Sequence, residues 1–257
     1  MWSVRINHEA QLYDSNLFVT LTYARDKLTS WGLRYRDFQL FMKKLRKELD
    51  GVSEIEGRRP IRFFVCGEYG AERKRPHWHA ILFNTRFPDL VPLTERESTS
   101  ELLGKLWGNG LTHIGTVTPE SAAYVAGYTL KKKYGRNADA AYDVVDHSTG
   151  EVVESRRREF VQMSRDPGIG AWWYDRFASD LYPLDRAVQA GRAYKAPRYY
   201  WEKFKASADP LEVEAIEHKR FLKAQELPIE ERSERRRAAR EEYLAERSKF
   251  WSPRDLA

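Results

Sequence analysis

Two histidines one residue apart, His77 and His79, flank Trp78 in the run Arg75 to Phe83, RPHWHAILF. In an extended strand, side chains i and i+2 leave the same face, so the two imidazoles can grip one metal ion together. The apolar run Ala80 to Phe83 that follows favours a strand. A catalytic ion needs a further protein ligand and open positions. Glu68 ends the preceding strand-like segment, where antiparallel pairing would set it beside the histidines, and it is the third ligand expected, ahead of Glu72. With a carboxylate present, Mn2+, Mg2+ and Zn2+ all suit the set; imidazole alone also takes Cu2+ and Ni2+. The same spacing fits a plain pair of hydrogen-bonded histidines on a strand.

A second group lies downstream. On a helix, Tyr124, Tyr128, Lys131 and Lys132 fall at i, i+4, i+7 and i+8, which puts two phenols and two ammonium groups on one stripe. A tyrosine oxygen can act as a covalent nucleophile, and neighbouring cations favour its ionised form and attract a phosphate. Ala122, Ala126 and Leu130 form a separate stripe for packing. An isolated Tyr-x-x-x-Tyr is more often the edge of a core with solvated lysines beyond it. Its occurrence with His-x-His is what gives it weight.

The elements that must position these groups are readable in outline. Leu17 to Tyr23, rich in β-branched and aromatic residues, predicts a central strand with Thr20 and Thr22 on one face, placed to support a metal site. Phe38, Phe41, Met42, Leu45 and Leu49 predict an amphipathic helix, Ile61 to Cys66 a second strand, and Gly67 to Pro76 the connection back to the histidine strand. Thr94 with Glu97 fits a capping box opening a helix to about Trp107, and Leu111 to Val117 reads as a strand. Thr118-Pro119-Glu120 opens the tyrosine helix, which Gly135 would end. Residues 136–170 are turn-rich and basic, with a hairpin tip at Asp146 to Gly150, and Trp172-Trp173-Tyr174 reads as core. From Pro210 the chain is charge-dense and glycine-free, predicting an exposed helix.

The 257 residues leave room for one large domain plus an appendage. Lys and Arg exceed Asp and Glu by 44 to 38, and a pI near 9.2 suits a polyanionic partner. The basic residues cluster at Lys131 to Lys133, Arg156 to Arg158 and Arg235 to Arg237. A single cysteine, Cys66, excludes an intrachain disulfide and a multi-cysteine zinc site. With neither a signal peptide nor a long apolar run, the expectation is a cytoplasmic protein with no membrane partner. A phosphate-binding loop of the ATPase type is also missing, so a motor would have to come from elsewhere.

Three ordered blocks carry a family resemblance: Phe18 to Tyr23 (FVTLTY), Arg75 to His79 (RPHWH) and Tyr124 to Lys132 (YVAGYTLKK). They resemble the three motifs of the HUH endonucleases that initiate rolling-circle DNA replication, of the two-tyrosine type. The flanks Arg36 to Arg46, Phe64 to Gly70 and Met163 to Gly170 are most similar to replication initiators of microviruses of the gokushovirus type, and the resemblance covers roughly residues 4 to 201. It implies an α+β HUH fold: a central antiparallel sheet of about five strands flanked by helices, residues 1–205, then a charged helical extension, 206–257. Initiators of this type often begin with a cysteine-containing segment, so a compact or truncated member is expected.

The resemblance also implies a chemistry. Glu68, His77 and His79 would hold one Mg2+ or Mn2+ against the scissile phosphate of single-stranded origin DNA. Tyr124 or Tyr128 would attack phosphorus, leaving a 5′-phosphotyrosine and a 3′-hydroxyl for a host polymerase, with a host helicase as further partner and Lys131 or Lys132 stabilising charge. Arg75, Lys133, Arg192, Lys195 and Arg198 are the DNA contacts expected, the last three interleaved with Tyr194, Tyr199, Tyr200 and Trp201. A noncatalytic origin-binding protein on the same fold, a zinc hydrolase of small substrates, and an HUH transposase or relaxase are the rival readings.

Overall fold

The structure is a computed structural model that describes residues 2–28, 30–49, 60–70, 74–127, 142–146, 148–189, 191–226 and 233–249. It groups into one unit from Trp2 to Trp173 and another from Tyr174 onward.

The strands of the first unit are β1 Asn16–Thr22, β2 Arg62–Tyr69, β3 Pro76–Phe83, β4 Val91–Pro92, β5 Glu97–Thr99, β6 Thr112–Thr116, β7 Asp143–Val145, β8 Val152–Ser155 and β9 Phe160–Met163. Seven of them form one antiparallel sheet in the order β4-β5-β6-β1-β3-β2-β9, while β7 and β8 make a separate hairpin. The helices are α1 Trp2–Ala10, α2 Tyr35–Leu49, α3 Glu101–Trp107, α4 Pro119–Gly127 and α5 Ala171–Phe177, the last running past Trp173.

Alternation along the strands divides the side chains between two buried faces. Leu17, Val19, Leu21, Val65, Trp78, Ala80 and Leu82 pack with Phe38, Phe41, Met42 and Leu45 of α2 and Leu103 and Trp107 of α3. Phe64, Cys66, Ile81 and Phe83 pack with Ile6 of α1 and Ala122, Tyr124 and Val125 of α4. The result is an α+β arrangement with helices on both faces. Trp78, fully buried between the two histidines in sequence, anchors the first face: its indole N–H donates to the Tyr23 hydroxyl at 3.1 Å, which donates to Asp37 Oδ2 at 2.9 Å.

Two differences from the expected layout have local causes. The sheet has seven strands instead of about five, because β4, β5 and β9 are two to four residues long and too short to show alternation. The Thr94 hydroxyl accepts from the Arg96 and Glu97 amides, but the motif closes a turn between β4 and β5. The helix to Trp107 instead starts at Glu101, capped by Ser100, whose hydroxyl accepts from Leu103 N at 3.0 Å.

Helix α1 has no counterpart in the sequence-based layout, since it places charges inside. Glu9 and Arg62 form an ion pair at 2.7 Å with both side chains buried. Gly170 N donates to Glu9 Oε2 at 2.6 Å, Arg62 donates to the carbonyls of Asp166 and Pro167, and Arg5 Nε donates to Ile169 O at 2.9 Å.

The second unit contains the hairpin β10 Arg186–Gln189 and β11 Arg192–Lys195, then α6 Arg198–Ser207, α7 Pro210–Gln225 and α8 Glu234–Lys249. Its interior is aromatic: Tyr182 stacks on Phe204 at 4.1 Å, Tyr174 on Tyr200 at 5.4 Å, and the Arg220 guanidinium lies 3.8 Å over Trp201 while pairing with both oxygens of Asp185. No helix among the described residues is long and apolar enough to cross a membrane.

Candidate functional site

The site face of the sheet is set by register. β3 lies between β1 and β2, so His77 pairs with Thr22 on one side and Glu68 on the other, and His79 with Thr20 and Cys66. Antiparallel pairing therefore does bring Glu68 to the histidines: its Oε1 lies 2.7 Å from His79 Nε2. The two imidazole rings are nearly parallel, with centroids 6.5 Å apart.

Each imidazole is oriented by an oxygen at Nδ1. His77 Nδ1 donates to the Arg75 carbonyl at 2.7 Å, since a carbonyl can only accept, and this leaves Nε2 as the lone-pair nitrogen of the neutral ring. Burial lowers the His77 pKa below the ordinary histidine range, which favours that neutral form. His79 Nδ1 lies 3.0 Å from the Thr20 hydroxyl. Gly70 packs on the His77 ring so closely that a Cβ there would lie 3.0 Å from its Cε1.

Fixing Nδ1 and presenting Nε2 is how metal-binding histidines are commonly held, and with Glu68 the donor set fits a divalent ion. Among the described residues, no three His, Cys, Asp or Glu side chains stand close enough together to hold an ion as placed, because Glu68 bonds directly to His79. An ion would have to open that hydrogen bond.

Tyr124 comes to the same place from above. Thr118 and Ser121 cap α4 reciprocally, each hydroxyl accepting from the other's amide, and Pro119 begins the helix. The helix buries Ala122, Tyr124 and Val125 together on the sheet, so Tyr124 shares the packed face instead of standing on a stripe apart from it. Its ring stands edge-on to His79 with centroids 5.5 Å apart and edge-on to Phe18 at 6.3 Å. Tyr128, Lys131, Lys132, Lys133 and Glu72 lie outside the described residues.

Of the DNA contacts expected, Arg75 belongs to the site: it precedes β3 and donates to the Tyr23 carbonyl at 3.4 Å. Arg192 and Lys195 lie on the exposed strand β11, and Arg198 opens α6 beside Glu202 at 3.5 Å, all within the second unit. Trp173 and Tyr174 are buried, as core residues should be. One residue escapes the sequence reading. His113 on β6 is the cross-strand partner of Thr20, which sets it in the row Cys66, His79, Thr20, His113, and its Nε2 lies 3.3 Å from Glu97 Oε1. Only the pairing of β1 with β6 reveals it.

Residues 16–133, which hold the whole of this face, match the model of a family of replication-associated proteins that takes its description from ORF2. The chain is 36% identical over 210 residues to replication-associated protein VP4 of Bdellovibrio phage phiMH2K, covering 79% of this chain and 62% of that protein. The chain belongs to this family of phage replication-associated proteins. Replication-associated protein ORF2 of Spiroplasma virus 4 is 29% identical over 77% of this chain and 61% of its own length, and ORF4 of Chlamydia phage 1 is 28% identical over 77% and 48%. The chain thus spans about half to three-fifths of the length of these relatives. No solved structure matches. The resemblance to microvirus replication initiators is borne out at the level of family.

Proposed function

We propose that this replication-associated protein is a nicking and joining endonuclease of rolling-circle replication. The observation that carries the reading is the meeting of Tyr124 with His79 on the face that also holds Glu68 and His77. His77 and His79 through Nε2, with the Glu68 carboxylate, would hold Mg2+ or Mn2+; the bound ion would polarise a nonbridging oxygen of the scissile phosphate and orient it. The Tyr124 oxygen forms the new bond to phosphorus, the bridging 3′ oxygen departs as the hydroxyl that a host polymerase extends, and the phenolic proton passes to solvent. Tyr128, one helical turn on at about 5.4 Å, would serve the second cut, from which the freed 3′-hydroxyl closes the displaced strand. Lys131 or Lys132 would stabilise charge at the phosphate. Thr20 and Arg75 act through the imidazoles, holding Nδ1 of each. Duplex opening would fall to a host helicase, and the host cytoplasm is where these partners are met.

The test is incubation with single-stranded DNA containing the cognate origin and Mn2+ or Mg2+, then denaturing electrophoresis. A metal-dependent covalent protein–DNA band is expected, weakened by Tyr124→Phe or Tyr128→Phe and abolished by the double substitution. A folded wild-type chain that gives no such band would leave an origin-binding role without chemistry.

A further inference from the structure

Trp31 lies in the loop after β1 and is 47% exposed, yet the backbone that carries it is fastened from several directions. Its amide donates to Glu154 Oε2 at 3.1 Å, the Ser30 hydroxyl donates to Glu154 Oε1 at 2.5 Å, and Gly32 N donates to the Ser30 hydroxyl at 2.9 Å. Glu154 belongs to β8, 123 residues further along the chain. Beyond Gly32, Leu33 N donates to the Tyr69 hydroxyl at 3.0 Å, which in turn donates to the Arg157 carbonyl at 2.7 Å. A Cβ at Gly32 would lie 3.3 Å from both Glu154 Oε1 and the Ser30 hydroxyl, so the clasp closes only on glycine without displacement.

Cations surround this clasp. Arg156, Arg157 and Arg158 follow β8; the Arg156 guanidinium lies 5.6 Å over the Tyr69 ring and that of Arg157 lies 4.2 Å over Phe160. The two acids of the same stretch are engaged elsewhere, Glu154 by Ser30 and Trp31 and Glu159 by the Tyr142 hydroxyl. Tyr69 is the residue after Glu68 on β2, so the clasp covers the end of the sheet that bears Glu68 and His77. An aromatic ring on a fixed backbone loses little conformational freedom on binding, and a ring beside arginines suits a stacked base with its phosphate.

We propose that Trp31, with Arg156 and Arg157, is a stacking platform for the single-stranded DNA that enters or leaves the Tyr124 site. The assignment of that strand as substrate rests on the endonuclease reading; the platform itself is a binding site and can be tested without cleavage. Fluorescence anisotropy of a labelled oligothymidylate is measured with the full chain in EDTA, so that neither metal nor origin sequence contributes. Trp31→Ala weakens binding roughly ten- to a hundredfold, and Trp31→Phe, which keeps a ring, loses much less. Arg156→Gln with Arg157→Gln lowers the slope of log affinity against log salt by about 1.4, two contacts at about 0.7 each. Thermal melting of Trp31→Ala stays at the wild-type temperature, which separates lost stacking from lost folding. Equal affinities for wild type and Trp31→Ala, or no binding by wild type, overturn the platform. Trp31-dependent binding without a covalent adduct at the origin removes the nuclease reading and leaves the platform standing; an adduct with Trp31-independent binding does the reverse.

Discussion

Thr20 shows how much of this site depends on a side chain that performs no chemistry. Its hydroxyl is placed at His79 Nδ1 by the β1–β3 register, and it fixes the direction in which Nε2 points. Loss of such outer partners typically costs ten- to a hundredfold in metal affinity. Thr20→Val, which keeps shape and burial, should therefore raise the Mn2+ concentration needed for half-maximal adduct formation by about that factor, while Thr20→Ser should stay near wild type. The histidines are legible in the sequence because a period of two is the mark of a strand, and Glu68 because a short connection implies antiparallel pairing. Thr20 and His113 are not legible as neighbours of His79, since cross-strand pairing between segments 59 and more residues apart leaves no local trace.

At the scale of elements, α1 is held by charge as well as by apolar contact. Glu9 and Arg62 are buried together, and Glu9 also accepts from Gly170 N and the Tyr13 hydroxyl. Removing one member of a buried pair leaves the other uncompensated, at a cost of about 3–5 kcal/mol. Arg62→Met should lower the urea midpoint accordingly, and exchange of Met for both partners, Glu9→Met with Arg62→Met, should recover part of the loss. This latch also accounts for why α1 escapes a sequence reading: Arg5, His8 and Glu9 read as solvent-facing until the 166–170 carbonyls and amide that satisfy Arg5 and the Glu9–Arg62 pair are known. The long elements are readable, since β1, α2, β2 and β3 each carry several periods of pattern. Four-residue β9 and the displaced start of α3 are decided by pairing and by the Ser100 cap.

For the molecule as a whole, stability against pH has an identifiable source. His8 is buried and stacked on Trp173 with centroids 3.5 Å apart, and burial lowers its pKa to about 4 from 6.5. The folded chain thus binds fewer protons at this site than the unfolded one. The resulting stability is fully present above about pH 6.5 and is lost as pH falls toward about 4, with a slope approaching 1.4 kcal/mol per pH unit. Denaturant titrations between pH 4 and 7 should show this decline, and His8→Phe should flatten it.

The central position of β1 carries a consequence in time. Its partners β3 and β6 are synthesised long after it, β2 waits for β9, and Arg5 waits 164 residues for the Ile169 carbonyl. Pairings this distant raise the contact order and slow folding toward the millisecond-to-second range. The cutting face also cannot assemble on a nascent chain until α4 has left the ribosome, so DNA meets either no site or a complete one.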